Sequence, residues 1–220
     1  MRIAVLISGR GSNMVALADT LPPAEVDIAL VAANTPCDGL RLAQERGFDT
    51  MLVDRAEFTS RAGQEAVLGD AIEAAAVDWI CLAGYMAILS PAFIARFRDR
   101  IINIHPSLLP DFKGLDTHRR ALAAGATRHG ASVHIVTAKL DDGPMLLQAG
   151  LDVRPEDDET SLAARVLRLE HALYPFVMLS LAGGKLSLQG GAASWQDPET
   201  ALINAGEAVC AVLSPAVIWP

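Results

Sequence analysis

The first half of the chain alternates between short apolar runs and segments whose apolar residues recur at helical spacing. The apolar runs predict strands over residues 2–8, 26–33, 48–53, 77–83 and 101–104. Helices are predicted between them, over residues 12–21, 40–46, 60–75 and 91–97. Strands that are almost wholly apolar indicate a parallel sheet covered by helices on both faces. We therefore predict an α/β fold with a doubly wound, mostly parallel, Rossmann-like sheet, which binds ligands beyond the carboxyl ends of its strands.

The pattern changes after His105. Two strand-like runs flank a turn-rich segment at residues 140–144, and they cover residues 132–137 and 145–153. They predict a hairpin or bent pair of antiparallel edge strands after residue 130. A long helix and a short last strand are predicted over residues 159–181 and 185–189. We interpret residues 1–220 as a single domain, in which the residues after about 190 form a C-terminal extension.

Composition and charge exclude several classes of protein. No apolar run reaches the roughly 18 uncharged residues of a membrane helix, and the start of the chain lacks the anatomy of a signal peptide. The net charge is −8 and no basic stripe is present, which argues against a nucleic-acid partner. Neither the three cysteines nor the histidines have the spacing of metal ligands, so no metal is expected. We expect a cytoplasmic protein that acts on small molecules.

A glycine-containing segment, Ser8-Gly9-Arg10-Gly11-Ser12-Asn13, lies between the first predicted strand and helix. Glycine lets the backbone approach a ligand, and a helix amino end suits a phosphate. The dinucleotide fingerprint is incomplete, because Met14 replaces its third glycine and Asn34 stands where an acid is expected. The ATP-binding Gly-Lys-Ser/Thr sequence is absent. Phosphate binding and a plain strand-to-helix turn both remain open at this point.

The most informative segment follows the fifth predicted strand and reads Asn103-Ile104-His105-Pro106-Ser107-Leu108-Leu109-Pro110. Side chains two apart in a strand point to the same face, so Asn103 and His105 are predicted to project together at the carboxyl end. An Asn amide can donate to an oxygen that becomes negative, and a His can exchange a proton near neutral pH. Two satisfied structural polar groups would give the same pattern, so the residue types alone do not decide.

Asp141 lies in the turn after the predicted strand that carries His134. A carboxylate near an imidazole favours the charged ring and raises its pKa. Aspartate is also common in surface turns, so a purely structural Asp141 stays open on spacing alone. The chain contains no Gly-x-Ser-x-Gly sequence, which disfavours a serine hydrolase.

These segments together resemble the glycinamide ribonucleotide formyltransferases of purine biosynthesis. The resemblance runs from residue 1 to about 190, and its motifs are residues 6–13, 82–86, 103–110, 129–134 and 140–144. It implies transfer of a formyl group from 10-formyltetrahydrofolate, the co-substrate, to the primary amine of glycinamide ribonucleotide, without a metal. It also implies the formyltransferase type of the Rossmann-like fold.

The resemblance assigns roles residue by residue. The catalytic trio that it implies is Asn103, His105 and Asp141. The ribonucleotide would be bound by Gly11, Ser12, Asn13 and Glu170. The folate would be bound by Arg61, Met86, Ala87, Ile88, Leu89, Asn103, Thr137, Ala138, Lys139 and Leu140.

Several alternatives share parts of this pattern. A formyltetrahydrofolate deformylase resembles it in the same trio, but such relatives usually carry a preceding regulatory domain. Methionyl-tRNA formyltransferases resemble it too, with an added domain for tRNA that this acidic chain is too short to include. A nucleotide-sugar formyltransferase and a non-catalytic nucleotide or folate binder remain as further alternatives. Either a monomer or a homodimer is compatible with the sequence.

Overall fold

The computed structural model describes residues 1–189 and 191–220, and it consists of two compact units, Met1–Asn103 and Ile104–Pro220. The prediction of a single domain over residues 1–220 stays a prediction.

The first unit is built on parallel strands in the spatial order β5-β4-β1-β2-β3. The strands are β1 Arg2–Ile7, β2 Asp27–Ala33, β3 Thr50–Leu52, β4 Trp79–Leu82 and β5 Ile101–His105, the last of which continues into the second unit. The helices are α1 Ser12–Thr20, α2 Asp38–Glu45, α3 Arg61–Ala74 and α4 Pro91–Arg96. Every predicted strand and helix of this unit is therefore present, with bounds that differ by a few residues.

The position of β1 explains why its sequence is almost wholly apolar. It pairs with β2 on one side and β4 on the other, and its residues from Ile3 to Ile7 are completely buried. Two of the helices, α3 and α4, begin at polar caps: Ser60 Oγ accepts from Gly63 N at 3.1 Å, and Ser90 Oγ accepts from Phe93 N at 3.1 Å. Such caps satisfy backbone donors that have no partner inside the helix.

The second unit contains antiparallel strands. Strand β6 (Arg128–Ile135) pairs with β7 (Met145–Asp152), and β10 (Val217–Ile218) pairs with the other edge of β7. The helices of this unit are α5 Thr117–Ala123, α6 Glu159–Ala182, α7 Pro198–Asn204 and α8 Glu207–Leu213. The predicted class is confirmed: an α/β fold with a mainly parallel sheet and antiparallel edge strands. Within the described residues, no helix has the length and apolar character needed to cross a membrane.

The segment after residue 190 contains regular structure that the pattern did not predict. Strand β9 (Ala192–Trp195) pairs antiparallel with β8 (Leu186–Gln189), and α7, α8 and β10 follow. The ring of Trp195 stacks on Phe176 of α6 with centroids 5.7 Å apart and contacts Trp219 at 5.0 Å. Trp195 Nε1 also donates to the carbonyl of Leu146 in β7 at 3.0 Å. These contacts pack the residues after 190 against α6 and β7 of the same unit.

Two elements differ from their predictions for physical reasons. Strand β6 begins at Arg128 and not at the predicted residue 132, and its start was missed because Arg128 and His129 are polar, although His129 is completely inaccessible. Helix α5 was not predicted at all, since its seven residues are mostly polar and only Thr117 and Ala121 are buried.

Candidate active site

The backbone after β1 requires glycine at two places, at Gly11 in the turn and at Gly39 in α2, which packs against the turn. Gly11 precedes α1 with a φ of 74°, and a Cβ on it would lie 2.7 Å from Gly39 Cα. The turn is also tied to α2, because Gly39 N donates to Gly9 O at 3.0 Å. Gly11 has no side chain with which to cap the amino end of α1. The turn therefore places Gly11, Ser12 and Asn13 at a helix amino end, where anions bind favourably.

Ser8 joins this turn to two other strand ends of the first unit. Its Oγ donates to Asn34 Oδ1 at 2.6 Å and accepts from Met86 N at 2.7 Å. Ser8 thus fixes the start of the segment that was predicted to bind folate. The sequence analysis did not assign a role to Ser8 or Asn34, although both are polar residues at the carboxyl ends of apolar strands.

A cavity of about 360 Å³ lies in the first unit. Its lining residues are Arg55, Arg61, Gln64, Glu65, Tyr85, Ala87, Ile88 and Leu89. Four of these belong to the predicted folate set, whereas Met86 is 68% exposed and does not line the cavity. The structure therefore brings part of the predicted folate set together around one cavity, and their role in binding folate stays a prediction.

One wall of the cavity is held by Glu65, which sequence reasoning missed. Its buried carboxylate accepts from Ser90 N at 2.8 Å and from Ser90 Oγ, and it lies 3.9 Å from Arg61 Nε. Arg61 in turn donates from Nη1 to Ile88 O at 3.2 Å. Burial, with the charge of Glu65 adding to it, raises the pKa of Tyr85 to about 12, so its phenol stays protonated near neutral pH.

Asn103 and His105 lie at the carboxyl end of β5, two residues apart, so their side chains are on the same face of the strand. His105 is only 6% exposed. Its Nε2 lies 3.1 Å from Phe112 O, and its Nδ1 lies 3.5 Å from Asp141 Oδ2. Both ring nitrogens therefore face oxygen acceptors, an arrangement that suits the imidazolium with two N–H donors.

The carboxylate of Asp141 lies between two imidazoles. Oδ2 faces His105 and accepts from Gly114 N at 2.9 Å, while Oδ1 lies 3.7 Å from His134 Nε2. The side chain is 8% exposed, and the backbone has a φ of 47°, which only a turn accommodates readily. The turn predicted at residues 140–144 therefore brings Asp141 to His105, as a shared catalytic role requires.

His134 is the neutral neighbour of this pair. Its Nδ1 donates to the carbonyl of Ile135 at 3.0 Å. Burial lowers the pKa of His134, and it outweighs the opposing effects of the Ile135 hydrogen bond and the Asp141 charge. Asp141 thus acts on the pKa of His134 in the expected direction, but the desolvation of the charged ring outweighs it, and the net change is downward.

A second pair of histidines lies in the same unit. His118 Nδ1 is 3.2 Å from His129 Nε2, and His129 is completely buried. Burial, followed by the charges of His118 and His105, lowers the pKa of His129 to about 4. Burial also lowers the pKa of His118. Within residues 1–189 and 191–220, no group of three or more His, Cys, Asp or Glu side chains is arranged to hold a metal ion.

The remaining predicted binding residues lie on two elements of the second unit. Thr137, Ala138, Lys139 and Leu140 form the loop between β6 and β7 that also carries Asp141, and the last three are exposed. Glu170 is buried in α6. Their assignments to folate and ribonucleotide stay predictions.

Comparisons with known proteins agree with this geometry. The sequence matches the family described as formyl transferase over residues 1–178. It is 42% identical over 200 residues to the phosphoribosylglycinamide formyltransferase of Escherichia coli (strain K12), covering 90% of this chain and 94% of the relative.

Solved structures are similar as well. Glycinamide ribonucleotide transformylase 1 from Symbiobacterium toebii superimposes with a TM-score of 0.85 at 38% identity, over 90% of this chain and 94% of the other. The phosphoribosylglycinamide formyltransferase from Coxiella burnetii gives a TM-score of 0.85 at 41% identity, over 89% of this chain and 93% of the other. The match spans most of the sequence and most of each relative, and the chain belongs to the formyl transferase family.

Proposed function

We propose that this chain transfers the formyl group of 10-formyltetrahydrofolate to the primary amine of glycinamide ribonucleotide, giving formylglycinamide ribonucleotide and tetrahydrofolate in purine biosynthesis. The observation that carries the proposal is the contact of Asp141 with His105, two residues beyond Asn103 on the same strand. The named relatives catalyse this type of transfer according to their descriptions. We further propose a cytoplasmic location and a monomer or homodimer as the active form.

The first chemical step forms a carbon–nitrogen bond. The amine attacks the formyl carbon, the formyl oxygen becomes negative, and the attacking nitrogen becomes positive. The Asn103 amide and an N–H of His105 donate to that oxygen, and one such donor is worth about 2.7–4 kcal/mol. Because Nδ1 of His105 faces Asp141, Nε2 is the nitrogen that donates to the formyl oxygen. It makes this hydrogen bond in place of its present contact with Phe112 O.

The second step breaks the bond between the formyl carbon and the folate nitrogen. Asp141 accepts the proton of the attacking nitrogen and delivers it, through a water molecule, to the departing nitrogen. The oxygen's electron pair re-forms the carbonyl as that nitrogen leaves, so no covalent enzyme intermediate arises. Before Asp141 takes up that proton and again after it has delivered it, the negative charge of its carboxylate stabilises the imidazolium of His105.

The binding residues supply orientation. The amino end of α1, with Gly11, Ser12 and Asn13, suits the phosphate of the ribonucleotide. The cavity lined by Ile88, Leu89 and Arg61 offers apolar walls and a cation to folate. Holding two reactants in line removes roughly 7–11 kcal/mol of a barrier.

Release of tetrahydrofolate, measured with and without glycinamide ribonucleotide, tests the proposal. We expect release to require the ribonucleotide. Asp141→Asn should abolish this release, and its matched control is Asp197→Asn, which changes an exposed aspartate of the same unit with a similar φ of 46° and should leave the rate unchanged. Equal release without ribonucleotide would show a deformylase, and binding of either ligand without release would show a non-catalytic binder.

A further inference from the structure

Two loops of the second unit meet at Asp141. One comprises residues 111–116 after β5, and the other comprises residues 136–144 between β6 and β7. Two adjacent contacts join them: Gly114 N donates to Asp141 Oδ2 at 2.9 Å, and Lys113 Nζ forms an ion pair with Asp142. Consecutive residues of one loop are therefore matched to consecutive residues of the other.

The same two loops surround His105. Its Nε2 contacts the carbonyl of Phe112, which precedes Lys113, and its Nδ1 faces Asp141, which precedes Asp142. A sliding of the first loop by one residue would change the contact at Nε2, and a sliding of the second loop would change the contact at Nδ1. The register between the loops thus sets where the imidazole and the carboxylate stand.

Among the contacts of the Asp141 carboxylate with described residues, the one with the Gly114 amide is shorter than those with the two imidazoles. The Asp141 φ of 47° lies in the left-handed region, which costs energy for a residue with a Cβ. Its oxygens lie 3.5 Å or more from the imidazoles, whereas the Gly114 amide contact is a normal hydrogen bond. A further contact between the two loops therefore helps to fix the position of the Asp141 carboxylate.

We propose that Lys113 and Asp142 are positioning residues, whose ion pair fixes the register of the two loops so that Gly114 holds the Asp141 carboxylate against His105. The inference rests on the proposed function, because it assigns the pair an effect on the rate of formyl transfer. Lys113 and Asp142 act through Asp141 and do not touch the reacting atoms.

Other features of the pair agree with this role. The Lys113 side chain is 32% exposed and that of Asp142 is 41% exposed, so both are partly shielded from water. The hydrogen bond and charge of Lys113 lower the pKa of Asp142, which keeps the pair charged at neutral pH. Lys139 also lies 3.9 Å from Asp142, but its side chain is 83% exposed and restrains the loop less.

The kinetics of four variants of the ion pair, and of one control variant, test the proposal. We expect Lys113→Gln and Asp142→Asn each to lower kcat by about 3- to 10-fold while KM for the ribonucleotide changes by less than about 2-fold. Lys113→Arg should keep kcat within about 2-fold, because the charge is retained. The reversed pair, Lys113→Glu with Asp142→Lys, should regain most of the lost rate. Arg119→Gln breaks the exposed pair with Asp116 and is the matched control, with unchanged kcat.

A second readout does not depend on activity. Amide hydrogen exchange of Gly114 reports its bond to Asp141, and Lys113→Gln should speed it by about 5-fold or more. Unchanged exchange in that variant, or wild-type kcat in both single variants, would overturn the proposal. A wild-type protein without transferase activity but with faster Gly114 exchange in Lys113→Gln would refute the proposed function and leave the loop restraint intact.

Discussion

Asp141 Oδ2 lies 3.5 Å from His105 Nδ1, and the opposite ring nitrogen of His105 contacts the carbonyl of Phe112. One imidazole is therefore bracketed by a carboxylate and a backbone carbonyl. In the proposed mechanism, the same carboxylate carries the amine proton.

Asp141→Asn should lower kcat by about 100-fold or more, because the amide can neither accept the amine proton nor stabilise the imidazolium. Dissociation constants of both substrates should change by less than about 3-fold, since the shape of the side chain is kept. Single-turnover kinetics and equilibrium binding measure the two effects separately. Turnover near the wild-type value would remove Asp141 from the mechanism.

Asn103→Ala should lower kcat by about 100- to 1000-fold through loss of one donor to the developing oxyanion. Asn204→Ala, at the exposed end of α7, is the control and should have wild-type kinetics. Steady-state assays with both substrates saturating make the comparison. A rise in KM with unchanged kcat would indicate that Asn103 binds the substrate and the transition state equally and is not an oxyanion donor.

Gly11→Ala should raise KM for the ribonucleotide by about 10-fold or more and destabilise the fold. Its φ of 74° is unfavourable for alanine, and the new Cβ would lie 2.7 Å from Gly39 Cα. Gly47→Ala separates the two effects, because Gly47 has a φ of 79° but no atom within 4 Å of an added Cβ. That control should cost about 1–2 kcal/mol of stability and leave KM unchanged. Equal KM values in both variants would argue against phosphate binding at the turn.

Acid should destabilise the protein partly through His129. Its pKa is about 4 in the folded chain, below the ordinary value of 6.5, because the ring is buried. The unfolded chain therefore binds a proton first, so this stability is complete above pH 6.5 and is lost as the pH falls toward 4.

His129→Gln removes that titration. Between pH 7 and pH 5, its free energy of unfolding should fall by about 1–2 kcal/mol less than that of the wild type, with allowance for solvent screening. Urea denaturation at the two pH values gives the difference. Parallel pH dependence in both proteins would mean that His129 is protonated alike in the folded and unfolded states.

The sequence predicts much of the first unit because its strands are buried on both faces. The continuous apolar run of β1 reflects pairing on both sides, and the placement of Asn103 and His105 follows from the two-residue period of a strand. The extension after residue 190 was missed because its helices are short and its contacts depend on Trp195 and Trp219, which are distant from Phe176 in the sequence.

The contact between Asp141 and His105 cannot be predicted from the spacing of nearby residues in the sequence. It depends on the pairing of β6 with β7 and on a left-handed residue in the connecting loop, and only the resemblance indicated it beforehand. The contact of Glu65 with Ser90 could not be predicted from the sequence either, since a carboxylate in a helix usually faces water. Both cases join residues through tertiary packing that a one-dimensional pattern does not record.

The most direct measurement follows the formyl carbon itself. The protein would be mixed with 10-formyltetrahydrofolate labelled with ¹³C in the formyl group and with glycinamide ribonucleotide, and the products would be separated and analysed by mass spectrometry. The account predicts that the label appears on the ribonucleotide in step with release of tetrahydrofolate. Label recovered as free formate, or retained on the folate, would contradict it.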